Sequence, residues 1–242
     1  MRKRKQKQKS NHYCLLVNKK ASKYAGDPIK KLTSAIRKKG DYYTVFEPDS
    51  PVKLLHTAQK IAGLRRWHHQ IPPAIQKRGP VTALIACGGD GTVNLVGKVG
   101  IRANLPTGIL PMGKLNNIAQ SLLGDISVAN AIKIILSGRY QKIDYGQIGK
   151  LIFFGSVGFN FSISMQQVLN ESSLSRFAFR WGQFAQKAES SVKPSPLIVK
   201  IDSFRFEVAP SILNINLLPY SLGLPFSKIS IPDDGIAELI FN

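Results

Sequence analysis

Residues 83–94, ALIACGGDGTVN, place one carboxylate among three glycines at the end of an apolar run. Glycine permits positive φ and close backbone approach, so successive N–H groups can form a concave anion site. A helix opening just after such a loop adds the positive end of its dipole. Thr92 offers a hydroxyl at that helix start. Asp90 is more than a phosphate cradle needs, because its carboxylate can bind a cation or accept a hydroxyl proton. The chemistry implied is phosphate binding with proton or metal work beside it, and the plain alternative is a tight turn. No G-x-x-x-x-G-K-[ST] occurs in the chain, and Gly89–Asn94 lacks the third glycine of the dinucleotide fingerprint. A second loop changes the balance. Residues 107–124, TGILPMGKLNNIAQSLLG, give a strand, a Pro-Met-Gly turn and a helix opening at an Asn pair. In a parallel sheet both loops fall at the carboxyl ends of strands, where open α/β sheets bind ligands. Together they make a two-sided phosphate crevice.

The elements that must position these loops are legible as an alternation. YCLLVN, residues 13–18, predicts a first strand. Ile29, Leu32 and Ile36 fall at helical spacing, with Pro28 near the start and Gly40 as a stop. YYTVFE is a second strand. Ser50-Pro51 opens a helix whose Leu55, Ala58 and Ala62 share a face. RRWHHQIPPAIQKRGP reads mostly as loop. VTALIAC is the next strand, with a helix from about Val93, then the strand TGILPM and helices over NNIAQSLLG and SVANAIKIILSG. Strands alternating with helices predict an α/β domain with a parallel sheet covered on both faces. After Tyr140 the pattern becomes strand-like segments joined by turns, interrupted by one amphipathic stretch at about 169–189. Two architectures in series predict two domains: a basic tail over 1–12, an α/β domain over 13–139 and a β-rich domain over 140–242.

Composition narrows the partners. Among 242 residues there are 34 Lys+Arg against 14 Asp+Glu, a net charge of +20. Such a field selects anions: nucleic acid, acidic lipid headgroups or phosphorylated metabolites. MRKRKQKQKS alone carries six basic residues and no acid. It reads as a solvated tail that can also tether the chain to an anionic membrane surface at about 1 kcal/mol per charge. No secretory signal and no run of roughly 18 apolar residues is present. Cys14 and Cys87 lack metal spacing and suit a reduced interior. The expectation is a cytoplasmic protein, peripheral at the inner membrane face. Trp67-His68-His69 has no acid or Cys cluster beside it and reads as structural or exposed. Phe177, Trp181 and Phe184 at helical spacing read as core packing, or as a membrane-facing lip. No nucleic-acid motif accompanies the charge, so no specific nucleic-acid partner is expected.

GGDGTVN followed about twenty residues later by GILPMGKLNNIA resembles the catalytic domain shared by diacylglycerol kinases, sphingosine and ceramide kinases and bacterial soluble lipid kinases. Their pattern is roughly G-G-D-G-T-x-N-E, then P-x-G-T-x-N-D-x-A. LLVNKKASKYAG stands where that family has its first-strand N-P-x-S-G loop. SVGFNFSISM resembles its second-domain glycine strand, and IPDDGIAEL its D-D-G-x-L-x-V turn. The resemblance spans about residues 13–240, in order. NAD kinases share only the G-G-D-G piece, and an NAD-kinase-like enzyme is the more distant alternative.

The resemblance implies an NAD kinase/diacylglycerol kinase-like α/β domain followed by a β-sandwich bearing the lipid site. It implies ATP in the cleft, with Mg²⁺ bridging its phosphates, and γ-phosphoryl transfer to a diacylglycerol-like lipid hydroxyl. Gly88, Gly89, Gly91, Thr92 and Asn94 would face ATP phosphates and ribose, with Gly113, Lys114 and Asn116 lining the second loop and Asn18 the first. Asp90 would be the catalytic acid–base residue. Asp234, with the carbonyls of Ile231 and Ile236, matches a structural Mg²⁺ site, although Asp-Gly is equally an ordinary turn signal. Several positions depart from the pattern. The acid after Thr-x-Asn is Leu95, the phosphate-contacting Thr is Lys114, and the Asp after the Asn is Asn117. A Thr after the second strand is Pro48, and N-P is Asn18-Lys19. The pattern also continues past the position of Asn242, with a D-G-E segment and a strand returning to the first domain. Fewer carboxylates make the cleft more positive, which favours anion binding over turnover. A binding homologue without turnover is therefore the second reading.

Overall fold

The computed structural model describes residues 10–64, 73–159, 196–201, 203–210, 213–221, 223–225, 227 and 229–241. The chain divides into two units, the first ending at Lys142 and the second beginning at Ile143.

In the first unit, strands β1 (His12–Val17), β2 (Tyr42–Phe46), β3 (Ala83–Gly88) and β4 (Thr107–Pro111) form a parallel sheet in the order β2-β1-β3-β4. The central strands β1 and β3 are buried along nearly their whole length, because helices cover both faces. That is why their sequences read as continuous apolar runs, without alternation. One face packs Tyr13, Leu15, Val17, Ile85 and Cys87 against Leu32 and Ile36 of α1 (Gly26–Lys38) and Ala131 and Ile135 of α6 (Val128–Ser137). The opposite face is covered by α2 (Pro51–Ile61) and α4 (Asp90–Ala103), which also pack on each other. Local chemistry sets the helix ends. Ser50 Oγ accepts from Lys53 N at 3.2 Å to open α2, with Pro51 in the first turn. Ser127 does the same for α6 through Asn130 N, and Gly138 closes that helix at φ +68°.

Three local expectations are corrected. The buried face of α2 is Leu54, Ala58 and Ile61, one residue before the predicted Leu55–Ala62 stripe. The observed set runs i, i+4, i+7 and the predicted one i, i+3, i+7; both are helical spacings sharing Ala58, and packing against α4 selects the observed one. The segment read as loop contains the short helix α3 (Pro73–Arg78), whose proline starts it instead of breaking it. Third, α4 opens at Asp90 and not near Val93. Asp90, Gly91 and Thr92 are thus the first turn of a helix, Gly88 ends β3, and only Gly89 lies between them.

The second unit is β-rich and antiparallel. β7 (Ser156–Phe159), β10 (Leu213–Asn216) and β13 (Glu238–Phe241) form a sheet in the order β13-β10-β7, with Ile215 opposite Val157 on one side and Leu239 on the other. β5 (Gly146–Ile148) and β6 (Leu151–Phe153) make a hairpin turning at Gly149, φ +57°. β8 (Leu197–Ile201) pairs with β9 (Phe204–Val208), and β11 (Tyr220–Ser221) with β12 (Leu224–Pro225). The expected helical stretch at 169–189 and the Trp67-His68-His69 segment lie outside the described residues. Among the described residues no single helix is long and apolar enough to cross a membrane.

Candidate functional site

The carboxyl ends of β1, β3 and β4 are tied into one rim by backbone bonds. Asn18 N donates to Cys87 O at 2.9 Å, Met112 N to Gly88 O at 2.9 Å and Lys23 N to Met112 O at 2.9 Å. Glycine is needed here chiefly for contact. A Cβ on Gly89 would stand 2.9 Å from Gly113 Cα, so the two loops touch backbone to backbone. A Cβ on Gly88 would collide with the Thr92 side chain. Gly91 is different: its missing Cβ faces open space at the first turn of α4. That is where a phosphate could approach the helix N-terminus.

Side chains lock the rim. Asn116, buried and in the left-handed region at φ +54°, holds its own loop closed. Its Oδ1 accepts from Gly113 N at 2.8 Å and its Nδ2 donates to Gly113 O at 2.9 Å. Asp90 reaches across to the other loop. Its Oδ2 accepts from Asn117 N at 3.1 Å and Asn117 Nδ2 at 3.3 Å, and its Oδ1 accepts from Ile118 N at 2.9 Å. The carboxylate therefore caps helix α5 (Asn117–Leu123) from outside. Burial pushes the Asp90 pKa above the ordinary carboxylate value, while the N–H groups of Ile118 and Asn117 pull against that rise. Asn18 Nδ2 donates to Thr92 Oγ1 at 3.2 Å, joining the first strand's loop to α4. Burial raises the Cys14 thiol to about 12 and the Cys87 thiol higher still, so neither serves as a nucleophile.

Beside this rim lies a cleft of about 330 Å³. Of the predicted binding residues, Asn18, Gly89, Gly91, Thr92, Gly113 and Lys114 line it. Gly88 sits behind the rim, Asn94 is half-buried on α4, and Asn116 is buried as the loop's internal brace. Asp90 borders the cleft through its neighbours, and its two oxygens face α5. Pro48, Pro51, Leu54 and Leu95 supply apolar lining. Ser22 and Ser50 also line the cleft and were not anticipated. Their signal was positional: Ser50 follows the carboxyl end of β2 and caps α2, where ligand-facing residues of this architecture collect.

A magnesium ion near the nucleotide would need oxygen ligands, usually one or two carboxylates plus substrate phosphates. None of the described residues lining the cleft is Asp or Glu. The acids flanking Pro48 are already paired, Glu47 with Lys19 Nζ at 2.5 Å and Asp49 with Lys53 Nζ at 2.7 Å. This donor set does not fit a protein-anchored magnesium ion. At the second expected metal position, Asp234 Oδ1 accepts from Ile236 N at 2.9 Å, and Asp144 Oδ2 accepts from Gly235 N at 2.7 Å. Ile231 and Ile236 are exposed. Among the described residues no group of three His, Cys, Asp or Glu is placed to hold a metal.

Known proteins resemble this chain in sequence and in fold. A diacylglycerol kinase of Staphylococcus saprophyticus is 35% identical over 72 residues, 29% of this chain and 24% of that protein. One from Staphylococcus epidermidis is 36% identical over 72 residues, 29% of this chain and 23% of its own length. The match thus spans about a quarter of those relatives. The crystal structure of a diacylglycerol kinase from Bacillus anthracis superposes with a TM-score of 0.73 at 16% identity, covering 98% of this chain and 74% of its own. That likeness establishes the fold. The sequence model of the diacylglycerol kinase catalytic domain matches residues 12–148, more than half of the chain, and the chain belongs to that family.

Proposed function

We propose that the chain is an ATP-dependent lipid kinase homologue, transferring the γ-phosphoryl group to the hydroxyl of a diacylglycerol-like lipid. The observation that carries this reading is the pair of glycine loops in backbone contact beside one cleft lined by both polar and apolar groups. The triphosphate lies along Gly89, Gly91 and Thr92 against the first turn of α4, whose dipole favours negative charge. Pro48, Pro51, Leu54 and Leu95 enclose the base. Lys114, exposed at the second loop, offsets phosphate charge. Asp90 keeps acceptor capacity beyond its three hydrogen bonds, and its raised pKa makes it a better proton acceptor for an alcohol than an ordinary carboxylate. The net charge of +20 supports working at an anionic, cytoplasmic membrane face.

One observation favours binding without turnover as a second reading: the cleft lining described contains no carboxylate, and Asp90 is engaged in holding α5. A single assay separates the two. Purified protein is given labelled ATP and vesicles containing diacylglycerol. Labelled lipid that falls at least about 10²-fold in Asp90→Asn supports transfer. No label above the Asp90→Asn level removes turnover. Thermal unfolding with ATP and with NAD then tests the pocket, and a shift with neither ligand removes the nucleotide site.

A further inference from the structure

We infer that the cleft takes a nucleoside triphosphate as its metal-free anion, with Lys114 standing where a bridging cation would otherwise offset the charge. The inference rests on the ATP-binding half of the proposed function and holds whether or not turnover follows. A bound divalent ion is normally the largest local charge at a phosphate site. A protein that recruits the magnesium complex presents carboxylates to the metal as well as donors to the phosphates. This cleft presents only the second kind. Its described polar lining is Asn18, Ser22, Ser50, Thr92, Lys114 and glycine backbone, and it contains no Asp or Glu.

The acids nearest in the chain do not change that balance. Glu47 and Asp49 flank Pro48 at the cleft edge, and each is held by a lysine, Lys19 and Lys53. Asp90 faces Asn117 and Ile118. Leu95 puts an apolar side chain on the cleft wall, and Asp90, the acid in the first turn of α4, already accepts from Asn117 N and Ile118 N. A site with one ammonium group, the positive end of a fourteen-residue helix and no negative lining attracts the more highly charged form of the ligand more strongly. The metal-free triphosphate is that form. The apolar side chains of Leu54 and Leu95 in the lining give the base a surface, which inorganic triphosphate would not use.

Calorimetric titration of the full chain with ATP, in excess magnesium and in EDTA at matched ionic strength, tests the inference. A dissociation constant in EDTA equal to or below that in magnesium is the expected result. Lys114→Ala should weaken metal-free ATP by about tenfold, the worth of one charge-assisted contact. It should weaken the magnesium complex less. The unfolding temperature of Lys114→Ala without ligand is measured alongside, which tells a loss of fold from a loss of affinity. Binding that weakens more than about threefold on moving from magnesium to EDTA overturns the inference and leaves the proposed function standing. Unchanged affinity of Lys114→Ala for metal-free ATP overturns the assignment to Lys114. No binding in either buffer overturns the nucleotide site itself.

Discussion

Two aspartates sit in glycine turns of this protein and do opposite things with their oxygens. Asp90, in GGDG, is part-buried and accepts from residues 27 and 28 positions along the chain. Asp234, in PDDG, is exposed and accepts from Ile236, two residues on. The first bond set fuses two strand ends into one rim. The second closes its own turn, with Asp144 bonding to the next residue, Gly235. A carboxylate that satisfies distant N–H groups in a part-buried place is costly to lose, because little water reaches those donors. One that satisfies its own turn at the surface is replaced by solvent. The same short motif therefore carries different weight according to where the fold puts it.

Asp90→Ala is the sharpest way to break the comparison. It strips acceptors from Asn117 N and Ile118 N at the start of α5, and the expected loss is about 3 kcal/mol of unfolding free energy. Chemical denaturation measures it. A loss below about 0.5 kcal/mol would put Asp90 in the same class as an ordinary surface aspartate. Asp90→Asn keeps the shape and one acceptor, so it should fall between wild type and Asp90→Ala.

The alternation of strands and helices up to Gly138 was legible because β1, β3 and α1 carry one pattern each with strong stops. The two glycine loops were legible as strand-end turns because Gly, Asp and Asn cluster there, and it was their pairing on one sheet edge that pointed to phosphate. What the sequence withheld is contact. GGDG read as a loop with Asp90 pointing to a ligand, whereas Asp90 lies in the first helical turn and points at α5. Nothing local specifies that, since the partners are supplied by a segment 27 residues away. Likewise the stripe of α2 depends on which of two faces meets α4. Ser22 and Ser50 join the cleft only because parallel β1 and β2 end at the same edge. Lys114 and Leu95, noticed in the sequence as departures from a pattern, both prove to line the cleft.

His12 extends the comparison to pH. Its ring is buried between Gly79 O at 3.1 Å and Thr44 Oγ1 at 2.9 Å, both far away in sequence. Burial, aided by the Arg78 charge, lowers its pKa, while the Gly79 carbonyl opposes the change. The folded protein thus prefers the neutral ring, and the unfolded chain binds the proton more readily. Stability from this residue is fully present above about pH 6.5 and is lost as pH falls toward the folded pKa. The slope is at most about 1.4 kcal/mol per pH unit. Denaturation midpoints followed from pH 8 to 5 should fall in wild type and fall less in His12→Gln. Parallel curves would mean that the ring does not hold its neutral form through burial.

Asp234→Ala is the smallest expected effect and the most direct contrast with Asp90→Ala. The lost acceptor served Ile236 N in an exposed turn, and water takes its place. Gly235 keeps φ +74° and its bond to Asp144 Oδ2, so the turn retains its shape. A change within about 0.5 kcal/mol is expected, with no response of the midpoint to added magnesium. Binding stabilises a folded state by mass action. A midpoint that rises with magnesium in wild type and not in Asp234→Ala would therefore restore a cation to this turn, and Asp234 would join Asp90 as a residue whose oxygens reach beyond their own loop.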